Sequence, residues 1–189
     1  MVPLSVFVRM PSVREIVIVS APDRIRFIEM QVRQLKTKKP IVVVAGGSLR
    51  GDSVRNGVRA LSKKIDVVLV HDAARALVTS DIVRRVEAAA EKNGVALAAW
   101  PLADTLKLAT SNLLVKKTIP RQQLWLAQTP QGFRRDVALK CLLKPSATAT
   151  DDVELAQRKG YKVALVDGSA INFKVTYPTD LKLCRILAS

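Results

Sequence analysis

Short runs of aliphatic residues alternate along the first half of the chain with longer segments whose apolar residues recur every three or four positions. The runs are typical of strands buried on both faces, and the longer spacing is typical of amphipathic helices. We predict strands at 15–20, 41–47, 66–72 and 95–102. We predict helices at 22–35, 52–62 and 80–94. This alternation predicts an α/β fold with a doubly wound, mainly parallel sheet that helices cover on both faces.

The pattern changes after residue 104. The segment "TLKLATSNLLVKKTI" (105–119) predicts two short strands joined by the turn "TSN". A two-stranded arm that projects from such a domain is marginal on its own, so we expect it to form a dimer contact. Farther on, we predict helices in "RRDVALKCLL" and "DDVELAQRKG", strands in "KVALVD" and "NFKV", and a last helix from "PTDLKLCRILA". The length of 189 residues predicts a single domain, 1–189.

The charge of the chain is strongly positive. Lys and Arg number 31 against 16 Asp and Glu, a formal net charge of +15, which favours a polyanionic partner or substrate. The basic residues are scattered, however, and aromatic residues make up only 4% of the chain. Nucleic-acid binding as the main function is therefore disfavoured, and a solvated basic surface is the alternative.

Hydropathy and cysteine content bear on location. No apolar run is long enough to span a bilayer, and the N-terminal stretch lacks the basic segment of a signal peptide. Cys141 and Cys184 lie far apart, without the spacing of a metal site or a disulfide framework. We expect a cytoplasmic protein with no membrane contact.

Three polar clusters follow predicted strands, where open α/β sheets bind ligands. The first, "AGGSLRGDSV", combines two glycines and Arg50 with Asp52 and Ser53 at the start of a helix. Glycines let a backbone approach a ligand closely, and a helix N-terminus attracts anions. The alternative is a capped helix that follows a glycine turn and binds nothing.

The other two clusters carry an acid and several cations. In "VLVHDAAR", Asp72 suits Mg²⁺ or a ligand hydroxyl and Arg75 suits a phosphate, unless they are a helix cap and a surface residue. We expect His71, the only histidine, to be packed or hydrogen-bonded rather than catalytic. In "NFKVTYPTDL", Lys174 and Thr176 share one face of a predicted strand and suggest an anion site, unless that strand is a plain sheet edge.

Six motifs, in this order and spacing, resemble those of the 2-C-methyl-D-erythritol 4-phosphate cytidylyltransferase family of the non-mevalonate isoprenoid pathway. They are "GGSLRGDSV", "VLVHDAAR", "PLADTLK", "LWLAQTPQGF", "TDDVELA" and "NFKVTYPTDL". The resemblance covers nearly the whole chain and implies a Rossmann-like nucleotidyltransferase domain. The related ribitol-phosphate cytidylyltransferases tend to have Val as the second alanine of "HDAAR", so the double alanine here favours the erythritol family.

The resemblance implies that CMP passes from CTP to a polyol phosphate, with release of pyrophosphate and with Mg²⁺ as the divalent metal. The substrate phosphate attacks the α-phosphorus in line, so such a protein mainly positions two polyanions and offsets their charge. The nucleotide-binding residues that it implies are Gly47, Ser48, Arg50 and Ser53.

The same resemblance implies a substrate site shared by two subunits. Its implied substrate-binding residues are Asp72, Arg75, Thr105, Thr150 and Thr176, with Asp72 also a metal ligand. Lys174 and Arg121 would position the substrate phosphate for attack. Thr105 and Arg121 flank the hairpin and would reach the neighbouring subunit's site, which makes 105–119 a dimerisation arm.

The chain departs from the family pattern in one large feature. The family begins with a strand and a glycine-rich loop of the type AAGxGxRMG, then Pro-Lys-Gln, and none of the eight glycines here forms that loop. About one βα unit, with a central strand, is absent from these 189 residues. A smaller departure is Ala76, where the family has Pro.

The loop's Arg and Lys would stabilise the transition state, so we expect impaired catalysis by these 189 residues. The alternatives are a catalytically inactive homologue that binds polyol phosphate, a ribitol-phosphate cytidylyltransferase, and a basic nucleic-acid-binding protein on the same scaffold.

Overall fold

The computed structural model describes residues 2–143, 149 and 151–188. Its helices are α1 (Val2–Arg9), α2 (Ile25–Arg33), α3 (Arg50–Ala60), α4 (Ser80–Asn93), α5 (Arg135–Leu142), α6 (Asp152–Gln157) and α7 (Pro178–Leu187). Its strands are β1 (Ile16–Ser20), β2 (Ile41–Ala45), β3 (Val67–Val70), β4 (Val95–Pro101), β5 (Leu106–Ala109), β6 (Val115–Ile119), β7 (Trp125–Arg134) and β8 (Ala164–Asp167). A short 3-10 turn (Pro22–Arg24) precedes α2. The alternation predicted for the first half of the chain is confirmed.

The strands form three separate sheets. β1 pairs with β2 in parallel, β5 pairs with β6 in the arm, and a four-stranded sheet has the order β3-β7-β4-β8. In that sheet β4 and β8 are parallel, whereas β7 is antiparallel to both of its neighbours. The α/β class is therefore confirmed, but the sheet is mixed because β7 runs against the others.

β7 is the strand that hydrophobic patterning does not identify. Its sequence, "WLAQTPQGFR", is interrupted by Gln128, Thr129 and Gln131, which are polar, and by a proline, yet these residues are buried. Tertiary hydrogen bonds satisfy these side chains, so polarity here does not mean exposure.

One predicted strand is wrong. Residues 172–175, "NFKV", have no strand conformation. Asn172 is fully buried and donates to Gln128 Oε1 at 3.1 Å and to the Thr129 carbonyl at 3.0 Å. The Val175 N–H donates to the Ala74 carbonyl at 2.9 Å. The segment is thus tied to β7 and to the loop after β3, and it does not form a sheet edge.

Two apolar clusters cover the faces of the larger sheet. One joins α3, α5 and α6 to Val68, Leu97 and Phe133. The other joins α1 and α4 to Leu69 and Ala96, on the opposite face. Neighbouring strand residues point to opposite faces, which is why 68 and 69, or 96 and 97, contribute to different clusters. The doubly wound arrangement is confirmed.

The β1-β2 sheet and the larger sheet lie on two sides of a cavity of about 1050 Å³. Residues 16–19 of β1 line it, as do residues 67–70 of β3. All five residues of β1 are only half-buried, although "IVIVS" is typical of a strand covered on both faces. Aliphatic residues of β1 and β3 therefore line this cavity.

The β5-β6 hairpin forms an exposed arm. Leu113 and Leu114 at its tip are 88% and 67% exposed, and Leu106 and Leu108 also face solvent. Leu113 adopts a left-handed conformation with φ 61° in the turn. Within the described ranges, no helix is long and apolar enough to cross a membrane.

Candidate functional site

The polar clusters predicted from the sequence meet beyond the carboxyl ends of β2 and β3. The loop after β2 leads into α3 and brings Arg50, and β3 ends immediately before His71 and Asp72. The segment before α7 brings Lys174, and the start of α6 brings Asp152. The three predicted clusters therefore meet at one point, and Asp152, which the sequence analysis did not assign, joins them.

The Asp72 carboxylate lies between two cations. Lys174 Nζ is 3.2 Å from its Oδ2, and Arg50 Nη2 is 3.6 Å from its Oδ1. Burial acts to raise the pKa of Asp72, but attraction to Lys174, and then to Arg50 and Arg75, outweighs it and holds the pKa below its ordinary value. Asp72 is therefore an ionised carboxylate at neutral pH.

Arg50 is oriented by a bidentate ion pair. Its Nη1 and Nη2 each lie 2.7 Å from an oxygen of Asp152. The Asp152 side chain is 2% exposed, and that of Arg50 is 41% exposed. Hydrogen bonds to Asp152 raise the pKa of Arg50 above its usual value despite burial. A planar fork bound in this way fixes the guanidinium, so one edge of Arg50 stays turned towards Asp72.

Asp152 is itself positioned by the central strand. Gln131 Oε1, on β7, accepts hydrogen bonds from the backbone N–H groups of Asp152 (3.1 Å) and Val153 (3.2 Å). Asp151 caps α6 by accepting from the Glu154 N–H at 2.9 Å. A buried glutamine in the sheet thus connects to Arg50 and Asp72 through the first turn of α6.

A chain of hydrogen bonds holds the loop of Asp72 from its other side. The Asp72 N–H donates to Thr129 Oγ1 at 3.0 Å, and Thr129 Oγ1 lies 3.0 Å from His71 Nδ1. His71 Nε2 lies 3.2 Å from the Arg75 carbonyl, which only accepts, so Nε2 carries the proton. Nδ1 is then the acceptor of the Thr129 hydroxyl, and His71 is neutral.

Burial lowers the pKa of His71 to about 4, against the opposing effect of its hydrogen bond to the Arg75 carbonyl. The ring also packs against Phe7 at a centroid distance of 5.1 Å. The prediction that His71 is packed and hydrogen-bonded is confirmed.

The loop after β2 has an open surface beside Arg50. The Gly47 N–H donates to Ser53 Oγ at 3.1 Å, and Ser48 Oγ lies 3.3 Å from Asp52 Oδ2. A Cβ at position 47 would lie 2.3 Å from Asp52 Cβ, so the close approach requires glycine. Gly47 and Ser48 are exposed, and their polar groups are accessible to a ligand.

Arg75 forms hydrogen bonds to two backbone carbonyls from different segments. Its Nη1 donates to the Asn172 carbonyl at 2.9 Å, and its Nη2 donates to the Ala127 carbonyl at 3.1 Å. Burial lowers its pKa, and Asp72 opposes that effect. Arg75 thereby ties β7 to the segment that carries Lys174, and its predicted contact with substrate stays a prediction.

The remaining predicted residues are not brought to Asp72. Thr176 is exposed near Lys174, and its Oγ1 donates to the Lys174 carbonyl at 3.2 Å. Thr105 and Arg121 are exposed at the base of the arm, where the Arg121 guanidinium donates to the Ala103 carbonyl. Among the hydrogen bonds of the described residues, none joins these two to Asp72 or Lys174. Thr150 lies outside the described residues.

Sequence reasoning missed Asp152, Thr129 and Gln131 as site residues. Each lies in a quoted motif, "TDDVELA" or "LWLAQTPQGF", but none received a role. The sequence did contain a signal for them, namely polar residues inside an otherwise aliphatic stretch. Polar residues in a buried strand need hydrogen-bond partners, so such residues indicate a tertiary contact. Finding which partners they have required the tertiary structure.

The charges of the site suit the binding of anions. Arg50 and Lys174 supply positive charge at the sheet edge, and Asp72 supplies one carboxylate. In the part of the chain that the structure describes, no group of three or more His, Cys, Asp or Glu side chains has the geometry of a metal site. A metal held by protein ligands alone therefore does not fit, whereas Mg²⁺ shared between one carboxylate and ligand phosphates does.

Comparison with known proteins gives consistent matches. The family model of 2-C-methyl-D-erythritol 4-phosphate cytidylyltransferase (IspD) matches residues 2–188. A protein of that name from Dehalococcoides mccartyi (strain CBDB1) is 39% identical over 184 residues, which are 97% of this chain and 81% of the relative. Another from Alkaliphilus oremlandii is 36% identical over 182 residues, with coverage of 94% and 77%.

Solved structures agree with the sequence matches. The 4-diphosphocytidyl-2C-methyl-D-erythritol synthase of Anaerococcus prevotii superposes with a TM-score of 0.88 at 25% identity, over 99% of this chain and 87% of that one. The cytidylyltransferase of Thermus thermophilus gives a TM-score of 0.78 at 33% identity, with coverage of 98% and 86%. Since the match runs through nearly the whole chain in both sequence and fold, the chain belongs to the 2-C-methyl-D-erythritol 4-phosphate cytidylyltransferase family.

Proposed function

We propose that the protein transfers CMP from CTP to 2-C-methyl-D-erythritol 4-phosphate and releases pyrophosphate, a step of isoprenoid precursor biosynthesis. The observation that carries this proposal is the Asp72 carboxylate held between Lys174 and Arg50 at the carboxyl edge of the sheet. Family membership supplies the identity of the two substrates. The charge of the site suits them, because both are phosphate anions.

The reaction forms one phosphorus–oxygen bond and breaks another. An oxygen of the substrate phosphate attacks the α-phosphorus of CTP, and the bond to the β-phosphate breaks as pyrophosphate leaves. The protein contributes mainly by positioning two anions in line and by offsetting their repulsion. Lys174 lies next to Asp72, and because its side chain is half-exposed it can contact the phosphate of the substrate.

Lys174 exchanges partners in this proposal. It pairs with Asp72 at 3.2 Å, and its side chain is 51% exposed, so it can turn from the carboxylate to a phosphate oxygen. A phosphate monoester carries up to two negative charges near neutral pH, more than a single carboxylate. Asp72 keeps Arg50 at 3.6 Å as its second cation, and Asp152 holds that guanidinium in place.

Mg²⁺ fits the site only together with phosphates. Asp72 is the carboxylate that would hold it, since Asp152 is buried in its pair with Arg50. When bound, the ion would neutralise charge on the phosphates. Arg50 and Lys174 offset charge on the same edge.

The loop at 46–53 is the proposed nucleotide contact. Gly47, Ser48 and Ser53 present polar groups beside Arg50, and the glycine lets the backbone approach Asp52 closely. Thr176, two residues after Lys174 at the substrate end, is exposed, and its hydroxyl would exchange its bond to the Lys174 carbonyl for one to the substrate phosphate. Thr150 remains a candidate for the same phosphate.

We further propose a homodimer made through the arm at 105–119. The arm exposes Leu106, Leu108, Leu113 and Leu114, and exposed apolar patches of this kind mark interaction sites. A partner subunit would cover this surface. Thr105 and Arg121, exposed at the base of the arm, are then candidates to reach the partner's site.

A cytoplasmic location is consistent with the chemistry of the cysteines. Cys141 and Cys184 are both free and buried, as expected for a reducing compartment.

Calorimetry with methylerythritol phosphate tests the proposal. A charge-assisted contact contributes about 1.5–3 kcal/mol, so Lys174→Ala should weaken binding about tenfold or more. Lys116→Ala, an exposed charge on the arm, is the matched control and should change binding little. Titrations at two salt concentrations separate the site from general attraction to a protein of charge +15. Equal weakening by both substitutions, with binding abolished by salt, would refute the proposed site.

A further inference from the structure

The ion pair between Asp72 and Lys174 joins two irregular segments. Residues 71–79 follow β3 and residues 168–177 precede α7, and neither range contains a helix or a strand. The backbone hydrogen bonds of a sheet or a helix therefore do not fix one charge relative to the other. The 3.2 Å distance between Lys174 Nζ and Asp72 Oδ2 depends instead on tertiary hydrogen bonds that hold the two segments.

Both segments are attached to Thr129 on β7. Its Oγ1 accepts from the Asp72 N–H at 3.0 Å, and its carbonyl accepts from Asn172 Nδ2 at 3.0 Å. Thr129 is 3% exposed, and Asn172 is fully buried. One residue of the larger sheet thus holds both Asp72 itself and the residue two positions before Lys174.

Gln128, the neighbour of Thr129 on β7, also holds Asn172. Its Oε1 accepts from Asn172 Nδ2 at 3.1 Å and from the Ser169 N–H at 3.3 Å, and its Nε2 donates to the Ser169 carbonyl at 2.8 Å. The Asn172 N–H donates to the same carbonyl at 3.0 Å. Because an amide nitrogen carries two hydrogens, Asn172 Nδ2 is fully used by its two acceptors.

The backbone is held on each side of Lys174. The Asn172 carbonyl accepts from Arg75 Nη1 at 2.9 Å, and the Val175 N–H donates to the Ala74 carbonyl at 2.9 Å. The side chain of Lys174, by contrast, is 51% exposed. A lysine whose backbone is already fixed loses conformational entropy only in its side chain when it binds a phosphate.

We infer that Asn172 is a positioning residue for the substrate phosphate, because its carboxamide holds the backbone from which Lys174 reaches Asp72 and a phosphate oxygen. The inference rests on the proposed function, in which Lys174 contacts that phosphate. Asn172 is fully buried and does not itself contact the ligand. Its effect on binding therefore passes through Lys174, whereas a purely structural residue would act on binding in the same way with or without that lysine.

A double-mutant cycle on methylerythritol phosphate binding tests this inference by calorimetry. Asn172→Ala removes the donor from two acceptors and frees the backbone before Lys174. Binding should weaken about fivefold to thirtyfold, the factor expected when one residue must be ordered on binding. In a Lys174→Ala background the same substitution should weaken binding less than about twofold, because the side chain that it positions is absent.

A core substitution controls for lost stability. Val83 is fully buried in the cluster that α1 and α4 form on one face of the larger sheet. Val83→Ala should lower the free energy of unfolding, because it leaves a cavity in the core. It should not change the affinity of the folded protein for methylerythritol phosphate, since Val83 makes no contact with the segment of Lys174 in the hydrogen bonds described above.

Amide hydrogen exchange on the unaltered protein gives a second measurement, which does not require that Asn172→Ala folds. The Val175 N–H should already be protected in the free protein, because it is bonded to the Ala74 carbonyl. Methylerythritol phosphate should then change its protection less than about twofold.

Three results would overturn the inference. One is an Asn172→Ala variant that binds as tightly as the parent, and another is a loss of affinity that is equally large in the Lys174→Ala background. The third is a Val175 N–H that becomes protected only when the ligand is bound. All three leave the proposed function intact if Lys174→Ala alone weakens binding. If Lys174→Ala alone has no effect, the proposed function fails and the inference fails with it.

Discussion

His71 gives the prediction that follows most directly from the geometry. The neutral ring accepts from the Thr129 hydroxyl at Nδ1 and donates from Nε2 to the Arg75 carbonyl. A proton on Nδ1 would remove that acceptor and place a charge in a buried position beside Phe7. The folded protein therefore resists protonation, and the pKa of His71 is about 4 instead of 6.5.

The lowered pKa of His71 makes the stability of the folded protein depend on pH. Between pH 6.5 and about pH 4, the unfolded chain binds a proton at His71 that the folded protein does not bind. Stability therefore falls as the pH falls through this window, and it is fully present above pH 6.5. A difference of about 2.5 pKa units corresponds to about 3 kcal/mol in the free energy of unfolding.

Two measurements on the same protein check this. His71 is the only histidine of the chain, so its ring Hε1 gives a single histidine resonance in the NMR spectrum, and its titration midpoint should lie below pH 5. Urea unfolding from pH 7 to pH 4.5 should show a loss of stability that the His71→Gln variant lacks. A midpoint between pH 6 and 7, or equal pH dependence in the two proteins, would refute the hydrogen-bond assignment.

Two further predictions concern the site and the arm. Asp152→Asn should lower the free energy of unfolding by about 1–3 kcal/mol and weaken methylerythritol phosphate binding, because Arg50 loses its charged partner. The control Asp81→Asn, at an exposed ion pair, should lower the free energy of unfolding by less than about 1 kcal/mol. Equal losses of stability in denaturant titrations of the two variants would contradict this. The double substitution Leu113→Ser and Leu114→Ser should convert a dimer to a monomer in light scattering, and a parent protein that is already monomeric would contradict the arm's role.

The elements of the fold that the sequence predicted are those with strong periodicity. α4 has four buried residues at helical spacing and ends at Gly94, whose φ of 87° suits only glycine well. β1 to β4 are aliphatic runs. β7 was not predicted because it contains the polar residues Gln128, Thr129 and Gln131. These side chains are buried in the sheet, where tertiary hydrogen bonds satisfy them.

The candidate site was predictable only where its residues lie in local sequence motifs. Asp72, Arg50 and Lys174 lie in motifs that follow strands or precede helices, so their convergence at one sheet edge was expected. The role of Asp152 was not predictable, since its partner Arg50 is 102 residues away. Arg75 was predicted as a phosphate ligand, but its guanidinium bonds two backbone carbonyls, a contact that no local pattern indicates.

The most direct test of the central claim is a crystal structure of the protein grown with methylerythritol phosphate. If Asp72 and Lys174 form the polyol phosphate site, a phosphate oxygen should lie about 2.7–2.9 Å from Lys174 Nζ, with the lysine turned away from the carboxylate and Arg50 still paired with Asp152. A structure in which Lys174 keeps its 3.2 Å contact with Asp72 while the phosphate binds elsewhere would contradict the account.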